Sequence, residues 1–220
     1  MRDLTLTQEY FICAVNEKGK LSTFSTEKQV CLVAAGLLEL QLENCIVIDQ
    51  KHITVTGALP ANKRYLESLY QVIHQAKPIK LEKVLETYTF SFSDKKLNEL
   101  MDSIGGALES MGLAESAKAG LFGGKKAFIP TKEAIHSVVE LVRAELLEDG
   151  DVTDEIAALV VLLEKSKSLK PYFSDYERKE LKNRLNELVR SPQGKLVKDM
   201  VDYVEDLIVI MSVISASVNS

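Results

Sequence analysis

Cysteine and histidine are scarce in this 220-residue sequence, and neither forms a recognisable site. The three cysteines, Cys13, Cys31 and Cys45, each lie inside an apolar run. An odd number of cysteines in such surroundings predicts buried, reduced thiols and a cytoplasmic protein. The three histidines have no second ligand at metal-binding spacing, so the sequence predicts no metal site.

A positive charge excess and a membrane-length apolar run are also missing. The 27 Lys and Arg residues against 32 Asp and Glu residues give a net charge of -5, which argues against a general nucleic-acid binder. The apolar run at residues 207–218 contains three serines and is shorter than the roughly 20 residues that span a bilayer. No signal peptide is expected, because Met1-Arg2-Asp3 leads directly into an amphipathic helix.

Motifs of catalysis are missing as well. No Gly-x-Ser-x-Gly sequence occurs, and the serines of two Ser-x-x-Lys sequences, Ser25 and Ser93, are better explained as helix caps. The segment 120–126 is similar to a phosphate-binding loop, but it is one residue short and has Lys126 in place of the magnesium-binding Ser or Thr. We therefore expect no enzyme, no catalytic residue and no cofactor.

What the sequence does contain is an apolar helix that leads directly into a β-hairpin. Residues 29–40 are apolar nearly all round, and two β-branched runs follow, at 42–48 and 52–56, with a hairpin-sized connection between them. A second helix and hairpin follow at 97–112 and 113–129. This order is also that of a winged helix, but the helix has several acidic residues and no Arg, so nucleic acid is not a predicted partner.

The helical segments predict the fold class. The helices around Leu32, Val160 and Ile210 are strongly apolar, and the remaining helices are amphipathic. We expect a mainly α protein: a bundle of three buried helices wrapped by amphipathic helices, with two β-hairpins. No linker separates the segments, so residues 1–220 are predicted to form a single domain.

The tip of the second hairpin is the candidate binding site. Leu121 and Phe122 lie at the predicted turn, among four lysines: Lys118, Lys125, Lys126 and Lys132. Exposed apolar side chains among lysines suit an anionic membrane surface, where the apolar groups enter the interface and the ammonium groups meet phosphates. The alternative is that Phe122 packs on a neighbouring helix or subunit.

Several segments in the same order resemble the Golgi phosphoprotein 3 (GPP34) family. They are residues 4–9, the helix 35–40 with the hairpin 42–56, Leu113, the helix 156–162, and Tyr172-Phe173 before a charged helix. The resemblance implies a mainly helical protein that binds phosphatidylinositol 4-phosphate at Golgi membranes and links glycosyltransferases to coat proteins. It also implies oligomerisation through a hairpin.

The chain departs from the family at the lipid pocket. The eukaryotic pocket uses a tryptophan between the first two helices and arginines on neighbouring helices, but this chain has no tryptophan. Phe24 is the possible aromatic counterpart, and residues 100–104 contain no arginine where the family has them. The short loops are typical of a compact bacterial member, for which a different anionic lipid or a protein ligand is expected.

Two functional hypotheses follow. The first is a non-enzymatic, cytoplasmic protein that associates reversibly with membranes through anionic phospholipid headgroups, in the manner of an adaptor. The second is a protein–protein scaffold or homo-oligomer formed through the hairpins, in which the strand 52–56 pairs with another chain.

Overall fold

Three helices at the centre of the fold are buried along most of their length. The computed structural model describes residues 4–21, 26–49, 51–89, 94–119, 125–148, 152–191, 195, 198–199, 201–206 and 209–210. α1 (Leu6–Ala14) is buried at all nine positions, and α2 (Thr26–Leu42) from Val30 to Leu40. α7 (Asp154–Lys165) is buried from Ile156 to Leu163, and it packs against both α1 and α2.

The predicted mainly α fold with two hairpins is confirmed, but one of the three central helices differs from the prediction. The all-round apolar helices at Leu32 and Val160 are α2 and α7 and are buried. The third buried helix is α1, because α2, α5, α6 and α7 surround it and cover its polar residues as well. Around Ile210, by contrast, Val209 is 60% exposed and Ile210 is half-buried.

Amphipathic helices cover this centre. They are α3 (Glu67–Ile73), α4 (Leu81–Thr89), α5 (Lys95–Ser110), α6 (Lys132–Leu146) and α8 (Asp175–Arg190). The sequence predicts one helix that begins near Pro60 and Asn62 and stops at Lys77-Pro78, but a 3₁₀ helix (Ala61–Leu66) precedes α3, and α3 already ends at Ile73. Lys63 has non-helical dihedral angles within it, and its ammonium group reaches Glu39 of α2 at 3.1 Å.

The first hairpin belongs to a three-stranded antiparallel sheet. β1 (Ile46–Asp49) pairs with β2 (His52–Val55), and β2 also pairs with the two-residue β3 (Ile79–Lys80). The expectation that the 52–56 strand is the free edge is therefore wrong, since β2 lies in the middle of the sheet. The edge strand opposite β3 is β1, where Val47 is 51% exposed.

The second hairpin consists of β4 (Ala114–Ala119) and β5 (Lys125–Pro130), which both contact α5. The three cysteines are buried and reduced, as predicted. Among the described residues, no helix combines the length and the apolar character that crossing a membrane requires.

Candidate functional site

The second hairpin places two of the predicted lysines directly opposite each other. Lys118 pairs with Lys126 in the register, one position before the last described pair of the hairpin. Both side chains are exposed, and cross-strand partners lie on the same face. Like charges in this arrangement destabilise a hairpin. Stability therefore does not account for the pair, whereas an anionic partner would relieve the repulsion.

The structure does not place the other residues predicted at this site next to the lysine pair. Phe24, Leu121 and Phe122 lie outside the described residues, and so does the side chain of Lys125. Lys132 begins α6 beyond the far end of β5, and is exposed. At about 3.3 Å per residue, β5 separates Lys132 from Lys126 by well over 10 Å. Lys132 is therefore not part of the lysine pair.

Phe128 fixes this hairpin to the body of the protein. Its side chain is on the same face as Lys126, two residues away, but is only 6% exposed. A Cβ atom at Gly105 of α5 would overlap the Phe128 ring, so only glycine allows this approach. Gly19, with φ of +63°, lies against the backbone of Phe128, where a Cβ would come within 2.5 Å of the carbonyl oxygen.

The contact with Gly19 adds lysines that the sequence analysis does not place at the site. In the turn between α1 and α2, Asn16 Oδ1 accepts hydrogen bonds from the backbone N–H of Lys18 at 2.9 Å and of Lys20 at 3.2 Å. Both lysines are exposed. Asn16 and Gly19 predict the turn locally, but nothing in the local sequence shows that it packs on residue 128.

A cavity of about 180 Å³ lies between this turn, α5 and β5. It is lined by Lys20 and Lys126, but also by Asp94 and Asp102. Leu21, which precedes the segment of Phe24, lines it together with Met101 of α5. The cavity thus lies between the two regions where the family resemblance implies an aromatic residue, near Leu21, and arginines, near Met101. In this protein it is lined by two lysines and two carboxylates.

A second basic surface, missed by the sequence analysis, surrounds a cavity of about 650 Å³ beside β3 and α4. Among the described residues, four lysines line it and no carboxylate does; the lysines are Lys77, Lys80, Lys83 and Lys96. Lys96 is paired with Glu99 at 2.8 Å, and this hydrogen bond lowers the pKa of Glu99. Lys77, Lys80 and Lys83 are close in sequence, just before β3, in β3 and in α4, whereas Lys96 of α5 is brought to them only by the fold.

The comparisons with known proteins identify the family. The family model described as Golgi phosphoprotein 3 (GPP34) matches residues 6–204, from the first residue of α1 to the helical segment 201–206. The comparison with curated proteins gave no significant match. The family model covers α1 to α8 and both hairpins in one match. The chain therefore belongs to the Golgi phosphoprotein 3 (GPP34) family.

Proposed function

We propose that this protein binds the surface of anionic membranes reversibly, through the second hairpin and the adjoining turn between α1 and α2. The main support is the cross-strand pair Lys118 and Lys126, with Lys20 on the same cavity as Lys126. Each lysine near an anionic surface contributes about 1 kcal/mol. Three lysines give about 3 kcal/mol, which is roughly a hundredfold preference for anionic over neutral vesicles.

Charge, and not the identity of the headgroup, determines binding in this proposal. The family resemblance implies phosphatidylinositol 4-phosphate as the ligand. However, Asp94 and Asp102 line the cavity where that headgroup would be expected. Carboxylates oppose a phosphorylated headgroup, since like charges repel in a confined site. We therefore propose contact with lipid phosphates at the exposed lysines, aided by the apolar side chains of Leu121 and Phe122.

Vesicle flotation tests this proposal. We expect recovery with phosphatidylglycerol vesicles and with phosphatidylinositol 4-phosphate vesicles of equal surface charge, little recovery with phosphatidylcholine, and loss of binding at high salt. Equal recovery with neutral and anionic vesicles would contradict membrane binding by charge. A strong preference for phosphatidylinositol 4-phosphate at equal charge would show that a specific headgroup pocket exists.

A matched pair of variants locates the contact. Lys118→Glu with Lys126→Glu should weaken binding to phosphatidylglycerol vesicles at least tenfold, because each reversal removes one attraction and adds a repulsion. Lys80→Glu with Lys83→Glu changes the net charge equally, but on the other basic surface, and should leave binding within about threefold. The opposite result would place the membrane contact beside β3 and α4.

Self-association is a second candidate function, favoured by the edge strand β1. β1 has its pairing partner on one side only in the described part of the sheet, and Val47 is 51% exposed. Edge strands of this kind pair with other chains. Light scattering should then give a mass that rises with concentration and falls to one chain in Val47→Lys. One-chain mass in the parent protein at every concentration would exclude this candidate.

A further inference from the structure

A separate cavity of about 400 Å³ lies on the part of the molecule where α1, α2, α6, α7 and the 3₁₀ helix meet. Its lining is unusual because apolar and acidic side chains dominate. The apolar side chains are Leu4, Leu6, Leu42, Leu141 and Ile156. The carboxylates are Glu9, Glu39, Glu43, Glu145 and Glu155, and Lys63 is the one basic side chain among the described residues that line the cavity.

Lys63 forms salt bridges with two of these carboxylates. Its Nζ atom lies 3.1 Å from Glu39 Oε1 and 2.9 Å from Glu43 Oε1. Glu39 also accepts hydrogen bonds from the backbone N–H of Thr7 at 3.1 Å and from the hydroxyl of Tyr65. The buried Glu39 carboxylate therefore has its hydrogen-bond partners, and no other lining residue in the described ranges is a cation that could pair with the remaining acids.

Glu9 differs from Glu39 in having no partner. It is 6% exposed and lines the cavity, and among the described residues no hydrogen bond or ion pair reaches its carboxylate. Burial first, and then the charges of Glu145, Glu155 and Glu39, raise the pKa of Glu9 to about 8. An unpaired buried carboxylate is costly, and a cation in the cavity would supply the missing partner.

We propose that this cavity binds a small aliphatic diamine, with one ammonium group at Glu9 and the other at Glu145 and Glu155 nearer the surface. The apolar side chains suit the methylene chain between the two charges, and the volume suits a small ligand. A metal ion fits less well, since no group of three His, Cys, Asp or Glu side chains in the described ranges is arranged to hold one.

Binding is coupled to the loss of one proton. Near neutral pH, Glu9 holds a proton, and an ammonium group beside it favours the carboxylate. The charged groups that line the cavity with Glu9 come from four elements: Glu39 and Glu43 of α2, Lys63 of the 3₁₀ helix, Glu145 of α6, and Glu155 of α7. Affinity should therefore rise with pH until Glu9 is ionised without ligand, at about pH 8.

Isothermal titration calorimetry with putrescine as the probe tests this site on the full chain. We expect saturable binding at pH 7, with release of close to one proton, measured from the heats in two buffers of different ionisation enthalpy. Butanediol, which has the same length without charge, should not bind. Magnesium chloride should compete no better than sodium chloride at equal ionic strength.

Three variants complete the test. Glu9→Gln should weaken putrescine binding at least tenfold and abolish proton release, because it removes the buried charged partner. Glu155→Gln, an exposed change that leaves the interior intact, should weaken binding about threefold and keep the proton release. Glu86→Gln, at an exposed position of α4 outside the cavity, should leave the affinity within about twofold.

Four results would overturn the proposal. They are no saturable binding of putrescine at millimolar concentration, equal binding of butanediol, unchanged affinity in both Glu9→Gln and Glu155→Gln, and displacement by magnesium beyond its effect on ionic strength. Circular dichroism verifies that each variant is folded. If Glu9→Gln fails to fold, Glu155→Gln and the proton release of the parent protein still decide the result.

Discussion

Replacing Glu9 by Gln should stabilise the protein, and the gain should depend on pH. The pKa of Glu9 is raised from 4.5 to about 8, chiefly by burial. At about 1.4 kcal/mol per pKa unit, this shift sets a ceiling of about 5 kcal/mol on the stability lost when the pH reaches about 8. Glutamine has nearly the same shape as protonated Glu and has no charge to bury, so the variant avoids this loss.

The sign of the effect follows from which state holds the proton. Between about pH 4.5 and pH 8, the folded protein keeps the Glu9 proton while the unfolded chain has released it, so stability falls as the pH rises. Below this window both states are protonated, and above it both are ionised. Glu9→Gln and the parent protein should therefore be about equally stable near pH 4.5, and the variant should gain steadily up to about pH 8.

Urea unfolding followed by circular dichroism, from about pH 5 to about pH 8.5, measures this difference. The upper limit matters because the buried thiols of Cys13 and Cys31, whose pKa burial raises to about 12, lower stability in the same way above about pH 9. Glu86→Gln is the control and should follow the parent profile. Parallel profiles for Glu9→Gln and the parent would refute the reasoning, because Glu9 would then be ionised or solvated in the folded protein.

Three further predictions concern other parts of the fold. Phe122→Ser should weaken binding to anionic vesicles without changing its salt dependence, whereas a change in native mass by light scattering would favour an oligomer contact. Gly105→Ala should destabilise the protein by about 1–3 kcal/mol in thermal unfolding, because the new methyl group overlaps a buried ring. Gly106→Ala is its control and should be neutral or stabilising, because nothing lies within 4 Å of the added Cβ. Ser174→Ala should cost about 1 kcal/mol. Loss of the side-chain hydrogen bond should also raise the pKa of Glu177, which is now held at about 2 chiefly by hydrogen bonds from the Ser174 backbone and hydroxyl. The resulting loss of stability should be largest above about pH 4.5 and should shrink as the pH falls towards 2.

The sequence predicts the helices best where the apolar pattern is unambiguous. Residues 29–40 are apolar nearly all round and residues 156–163 are apolar on every side, and both segments lie in helices that are buried along most of their length. The sequence predicts an amphipathic helix at α1, yet its polar residues Thr7, Gln8 and Glu9 are buried. These residues are buried because helices distant in sequence surround α1 and Glu39 bonds its backbone, which a local pattern does not reveal.

The first sheet and the candidate site show a similar limit. β2 was expected at an edge because β3 is only two residues long and follows Pro78, too short to be recognised from alternation. The sequence predicts that the first helix ends at Lys18-Gly19-Lys20, but the position of this segment beside β5 depends on Gly19 packing against Phe128. Contacts of this kind depend on how the shapes of separate elements fit together. The sequence therefore predicts the lysines of the second hairpin, but not that Lys18 and Lys20 lie beside them.

The close packing of Phe128 has a consequence for the motion of the second hairpin. A phenyl ring flips about its own axis only when its neighbours move aside, and the Phe128 ring lies so near Gly105 that no Cβ would fit between them. Each flip therefore requires the packing of the hairpin against α5 to loosen briefly. In nuclear magnetic resonance spectra, the exchange between the two edges of this ring would measure the rate of that loosening. If the hairpin docks on membranes as proposed, docking should change this rate.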